Sequence, residues 1–182
     1  MKNLIPIVLL VFVSACDTPK VKKHKELLTA GYWTCSQTVY DKDKNKVGKS
    51  ESLVQYLPTE HKPPHHAATT SKINYDAGLR FTMVVTSTWD LESSKDSISL
   101  SEDLKTFELR NTIPRNLPSW DLSARMKLKE RLLLSLREED SASYEIKELT
   151  GEKLVISTED DEIICNHPSS VELNDKWNIV EL

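Results

Sequence analysis

From Leu79 to Leu91 the chain alternates between apolar and polar residues. Leu79, Phe81, Met83, Val85, Trp89 and Leu91 hold the odd positions, interrupted by Ser87. Arg80, Thr82, Thr86, Thr88 and Asp90 hold the even ones, interrupted by Val84. Alternation with period two predicts a half-buried β-strand, because successive side chains point to opposite faces of a sheet. Thirteen residues at about 3.3 Å each would run about 43 Å. A strand of that length bends or coils, as in a barrel.

Shorter segments repeat the pattern. Trp33, Cys35, Gln37 and Val39 alternate with Thr34, Ser36 and Thr38. Leu53 to Leu57 follows a polar turn over residues 41–48. Thr70 to Tyr75 is positioned to pair with residue 79 onward across Asp76-Ala77-Gly78. Ile98 with Leu100, Phe107 with Leu109, Tyr144 with Ile146, Leu154 with Ile156, and Ile163 with Cys165 mark the remaining strands. One amphipathic helix is expected over 121–138, with Leu122, Met126, Leu132, Leu133 and Leu136 on its apolar face and Ser119 or Asp121 as its cap. The expected fold is mainly β: an antiparallel barrel of about eight or nine strands with one inserted α-helix near 120–139. The barrel is placed at 31–168, and the tail at 169–182 either packs back on it or adds an edge strand.

The chain's start is of a different kind. Lys2 precedes an apolar run from Leu4 to Val13. About ten residues is half of what a bilayer-spanning helix needs, and it suits a signal-peptide core. Val13-Ser14-Ala15-Cys16 resembles a bacterial lipobox. That implies cleavage before Cys16, acylation of its thiol with a palmitate-like chain, and a lipid-anchored place in the cell envelope. An ordinary secretory signal or a buried cytosolic strand is the bland alternative. Asp17 leaves inner and outer membrane undecided. Residues 16–30, with Lys20, Lys22, Lys23 and Lys25, read as a lipidated tether; the lysines either face an anionic leaflet or merely keep a linker solvated.

Removing residues 1–15 leaves 167 residues (182 less 15) and a net charge one unit below the full chain's −4. That length supports one domain with a real core. A mildly acidic chain without a basic, aromatic-studded patch excludes nucleic acid as the expected partner. Of three cysteines, Cys16 is assigned to lipid. Cys35 and Cys165 remain as an even pair in an oxidising compartment and are expected to form a disulfide, with two buried free thiols as the alternative.

Together these segments resemble the lipocalin-like bacterial envelope lipoproteins, over about residues 31–166. Gly31-Tyr32-Trp33 is similar to the Gly-x-Trp that opens the first strand of such barrels. Residues 87–91 with 96–100 resemble their middle hairpin, and residues 144–150 with 153–156 their terminal one. Cys35 and Cys165 match a cysteine pairing of that group. The chain departs from it in lacking a Thr-Asp-Tyr second motif and an arginine after the last strand to pack on Trp33. The resemblance implies a calycin-type barrel and a small apolar ligand.

Candidate chemistry is sparse. Trp33, Phe81, Met83, Trp89 and Tyr144 are the candidate ligand-lining residues, and the same residues would equally fill a solid core. Glu60-His61-Lys62-Pro63-Pro64-His65-His66 has imidazoles suited to zinc or copper, but the prolines hold the segment extended and splay its side chains. No metal and no cofactor is assigned. The runs Glu138-Glu139-Asp140 and Glu159-Asp160-Asp161-Glu162 read as solvated turns. No Gly-x-Ser-x-Gly elbow is present, and four glycines leave no room for a phosphate loop. The expected function is a non-enzymatic binding module for a small apolar ligand. The alternative is a lipoprotein that contacts an envelope protein as an assembly chaperone, inhibitor or immunity factor; a hydrolase ranks third.

Overall fold

The structure, a computed structural model, describes residues 18–41, 43–58, 65–92, 96–114, 122–138, 142–157 and 161–179. Eight strands close into an antiparallel barrel in simple chain order. They are β1 (Tyr32–Tyr40), β2 (Lys46–Leu57), β3 (His65–Tyr75), β4 (Leu79–Glu92), β5 (Ser97–Pro114), β6 (Ala142–Leu149), β7 (Lys153–Ser157) and β8 (Glu162–Asn166). Three helices accompany them: α1 (Pro19–Leu28), α2 (Leu122–Glu138) and α3 (Ser170–Trp177).

The long alternating segment is β4. Its odd positions Phe81, Val85, Ser87 and Trp89 are buried toward the barrel axis. Segments 98–100 and 107–109, expected as separate strands, belong to one 18-residue strand. The pairing register of β4 with β5 shifts between Val84 and Thr86. There Asp103 accepts from the Lys105 N–H, and the Thr106 hydroxyl accepts from the Thr86 N–H. The extra residues in this bulge move the inward set from Ile98, Leu100 and Glu102 to Phe107 and Leu109, which hides the strand's continuity from a period-two reading.

Strand length makes the barrel lopsided. β2 to β5 have 12, 11, 14 and 18 residues, whereas β7 and β8 have 5 each. β5 pairs with β6 only from Ser97 to Leu100. Beyond that seam the inner faces of β3, β4 and β5 run on, and α2 lies over them. Leu128, Leu132 and Leu133 of α2 pack with Ile73, Leu79, Phe81, Met83, Phe107 and Leu109.

The other end is closed by α1. Residues 16–30 were expected as a tether with no core to bury, and the structure corrects this for residues 19–28, which form a helix. Thr18 accepts from the Val21 N–H as the cap, and Pro19 stands in the first turn, where its missing N–H costs nothing. Val21 and Leu28 are buried, Leu28 completely. Leu28 joins Trp33, Trp89, Ile98 and Leu154 in the main core cluster. The tail forms helix α3 and no edge strand. Ser169 caps it through the Glu172 N–H, and Leu173 and Trp177 bury Leu53 on the outside of β2.

Two backbone positions need glycine. Gly78 sits at φ +90 in the β3–β4 turn, and a Cβ on Gly48 would overlap the Asn74 carbonyl across the β2–β3 ladder.

Closure falls at β1 and β8, which share three register pairs: Thr34 with Asn166, Cys35 with Cys165, and Ser36 with Ile164. The middle pair is the disulfide. The expected bridge is therefore present and lies on the seam, spanning 130 residues of chain. Replacing both cysteines with alanine should cost about 3–5 kcal/mol in urea unfolding. Hydrogen exchange should accelerate first in β1 and β8; unchanged protection there would show that the seam holds without the bond.

Candidate functional site

The barrel interior is the concave surface this fold offers. Register assigns its lining. Trp33 and Cys35 point inward from β1, Ser52, Val54 and Tyr56 from β2, and His65, Ala67 and Ser71 from β3. Trp89 stands opposite His65 and Leu100, and Ser87 opposite Ala67 and Glu102. The interior has an α1 end and an α2 end, with inward serines and Glu102 between the apolar clusters of the two.

At the α1 end the side chains fill the space. Trp33, Trp89, Ile98, Leu154 and Cys165 are fully buried. The Trp33 Nε1–H donates to the Leu28 carbonyl at 2.9 Å, so the last turn of α1 is bonded to the barrel floor. His167, just past β8, lies 4.0 Å from the Trp33 ring, and its Nδ1–H donates to the Tyr32 carbonyl at 2.7 Å. This imidazole covers the Trp33 ring from the end of the last strand. Trp89 is held by a 2.8 Å bond from Nε1 to the His66 carbonyl, by the edge of Tyr56 at 5.3 Å and by His65 at 4.8 Å. Burial, and then the neighbouring Tyr144, push the Tyr56 phenol far above its ordinary range. Tyr56 therefore stays neutral.

Two polar pairs interrupt the apolar lining: Ser52 with Ser71 across β2 and β3, and Ser87 with Glu102 across β4 and β5. Ser71 and Ser87 are buried, and the Ser52 and Ser71 hydroxyls are 2.8 Å apart. Beyond them, toward α2, packing loosens. Phe81, Phe107 and Leu109 are buried, but Ile73, Tyr75, Leu79 and Met83 are only half-buried although they face inward. Leu128, Leu132 and Leu133 of α2, which meet them, are also half-buried.

The structure does not gather the five candidate lining residues into one place. Trp33 and Trp89 belong to the filled α1 end, with Tyr144 half-buried against them. Phe81 and Met83 belong to the α2 end. Cys16 lies outside the described residues, as do Glu60 to Pro64. His65 and His66 begin β3, so one faces inward and the other faces solvent, and they diverge. The described residues contain no cluster of three or more metal-binding side chains. No helix among them is long and apolar enough to cross a membrane. Sequence reasoning missed α1, α3 and His167. Thr18-Pro19 and Ser169-x-x-Glu172 are helix-start signals that carry the first two. His167 had no local signal, because its role depends on the closure of β8 on β1.

Comparison with protein-family models and with curated proteins returns no match for this chain. The fold itself, a closed eight-stranded antiparallel barrel, is compatible with a calycin or lipocalin-like architecture.

The two ends should respond differently to truncation. Trp89→Ala at the filled end should cost about 3–5 kcal/mol in chemical denaturation. Met83→Ala at the looser end should cost only about 1 kcal/mol. Equal losses would mean that both ends are packed alike.

Proposed function

We propose that this protein is a lipid-anchored cell-envelope binding module that holds a small apolar ligand at the α2 end of its barrel. The observation that carries the reading is the contrast between the two ends. At the α1 end Leu28, Trp33, Trp89, Ile98 and Leu154 are wholly buried, with Leu91, Leu100, Tyr144 and Leu149 half-buried beside them. At the α2 end Ile73, Leu79 and Met83 are half-buried beneath the half-buried leucines of α2. An apolar guest seated between α2 and the sheet would remove that remaining surface from water, at about 25 cal/mol per Å². Ser71, which stands opposite Met83 in register, borders this space and adds a polar contact to a mostly apolar site, the usual composition of small-ligand sites. The lining offers binding and orientation, and no bond-making step is assigned to it. Anchoring rests on the apolar leader and the lipobox-like Val13 to Cys16.

Titration with 1-aminoanthracene, a neutral apolar fluorophore, tests the binding site. Saturable binding of one molecule per chain is expected. Met83→Arg, which puts a charge among these side chains, should weaken it by about tenfold or more. Leu132→Lys on α2 should do the same without altering the sheet. Absence of saturable binding overturns the proposal, as does recovery of a stoichiometric protein partner with no small molecule in lipid extracts.

A further inference from the structure

Helix α1 is part of the barrel, and this changes what a lipid on Cys16 would do. The helix crosses the barrel end along a diameter. Near its start, Lys20 and His24 reach Asp96, at 2.5 and 3.3 Å, on the connection between β4 and β5. At its finish, Leu28 is buried against Trp33 at the start of β1 and accepts that residue's indole N–H. In the closed strand order β5 lies opposite β1. Ten helical residues cover about 15 Å, the scale of such a mouth. The helix is therefore fixed to the barrel at both ends. Only Asp17 stands between Cys16 and the capping residue Thr18. Two residue steps reach at most about 7 Å.

We infer that the α1 end of the barrel rests on an anionic lipid surface, with the α2 end turned away from it. This rests on the lipid-anchor reading of Cys16 and gives it an orientation. A leash of two steps holds the helix at headgroup depth, and the barrel follows because α1 cannot move independently of it. The outward side of α1 is chemically suited to that surface. Lys22 and Lys23 are exposed there, and Lys20 remains 64% exposed beside Asp96. Glu26 is the one acidic side chain on this helix. Exposed lysines within a Debye length of an anionic leaflet are attracted to it and lose that attraction in salt. The proposed ligand space then opens away from the membrane, toward soluble partners of the envelope.

The test uses the full-length acylated protein in vesicles of equal parts phosphatidylcholine and phosphatidylglycerol. With Cys16 blocked by lipid and Cys35 bonded to Cys165, a single introduced thiol takes the fluorophore. Glu26→Cys labels α1, and Asp76→Cys labels the β3–β4 turn at the opposite end. A headgroup nitroxide lipid should quench the label at position 26 several-fold more than the label at 76. Inserting about twenty Gly-Ser residues after Asp17 should erase the difference, because a flexible chain no longer transmits orientation. Equal quenching without the insert, or stronger quenching at 76, overturns the orientation while leaving the anchor intact. Protein with Cys16 intact that stays in the supernatant overturns the anchor and the orientation together; release of the Cys16→Ser variant alone supports the anchor.

Discussion

The fold depends on one narrow seam. A barrel exists only if its first and last strands meet, and here β1 and β8 meet over three register pairs. A backbone hydrogen bond contributes only about 0.5–1.5 kcal/mol net, so a ladder this short is a weak closure. The Cys35–Cys165 bond sits on the middle pair and makes the closure covalent. Its neighbours depend on it. Trp33 is two residues from Cys35 and His167 two from Cys165, so the tilted indole–imidazole contact forms only when the seam is shut. The bond between Trp33 and Leu28 then fixes α1, and the chain following β8 delivers α3 to the outer face of β2.

Strand length decides the rest. Four long strands and short final ones cannot close to the same height, so the inner face of β3 to β5 outruns the barrel. An apolar face left open would be a liability for aggregation. The helix that covers it, α2, comes from the connection between β5 and β6. A helix meets a sheet through one stripe of side chains, whereas strands closing on themselves interdigitate from all sides. The wholly buried Trp33, Trp89, Ile98 and Leu154 and the half-buried Ile73, Leu79 and Met83 reflect that difference in geometry.

The architecture was largely legible in advance, and the site much less so. Alternation in β4 reported its own burial directly, and the odd cysteine count pointed to the pair on the seam. The 18-residue β5 was not legible, because the bulge around Asp103 breaks its alternation while leaving the strand intact. Residues 19–28 looked like a linker because four lysines mask the small apolar stripe of Val21 and Leu28. Among the candidate lining residues, Trp33 and Met83 were indistinguishable in sequence, since both are inward positions on strands. What separates them is which helix covers their end, and that depends on relative strand lengths around the ring.

The α3 contact shows how little sequence signal a tertiary latch needs. Trp177 packs on Leu53, with the Lys72 ammonium 4.6 Å from its ring and Lys176 5.7 Å away. Lys72 donates to the Lys176 carbonyl, while Lys176 pairs with Glu51 at 3.1 Å. Burial, and then the charge of Lys176, hold the Lys72 ammonium below its ordinary range, with Glu51 opposing them. Two like charges over one indole are tolerated because the ring face and the carboxylate together offset their repulsion. Lys72 belongs to β3 and Glu51 to β2, so the latch spans two strands and a helix, and no single segment announces it. It seals the outer wall beside the seam, as α1 seals the floor.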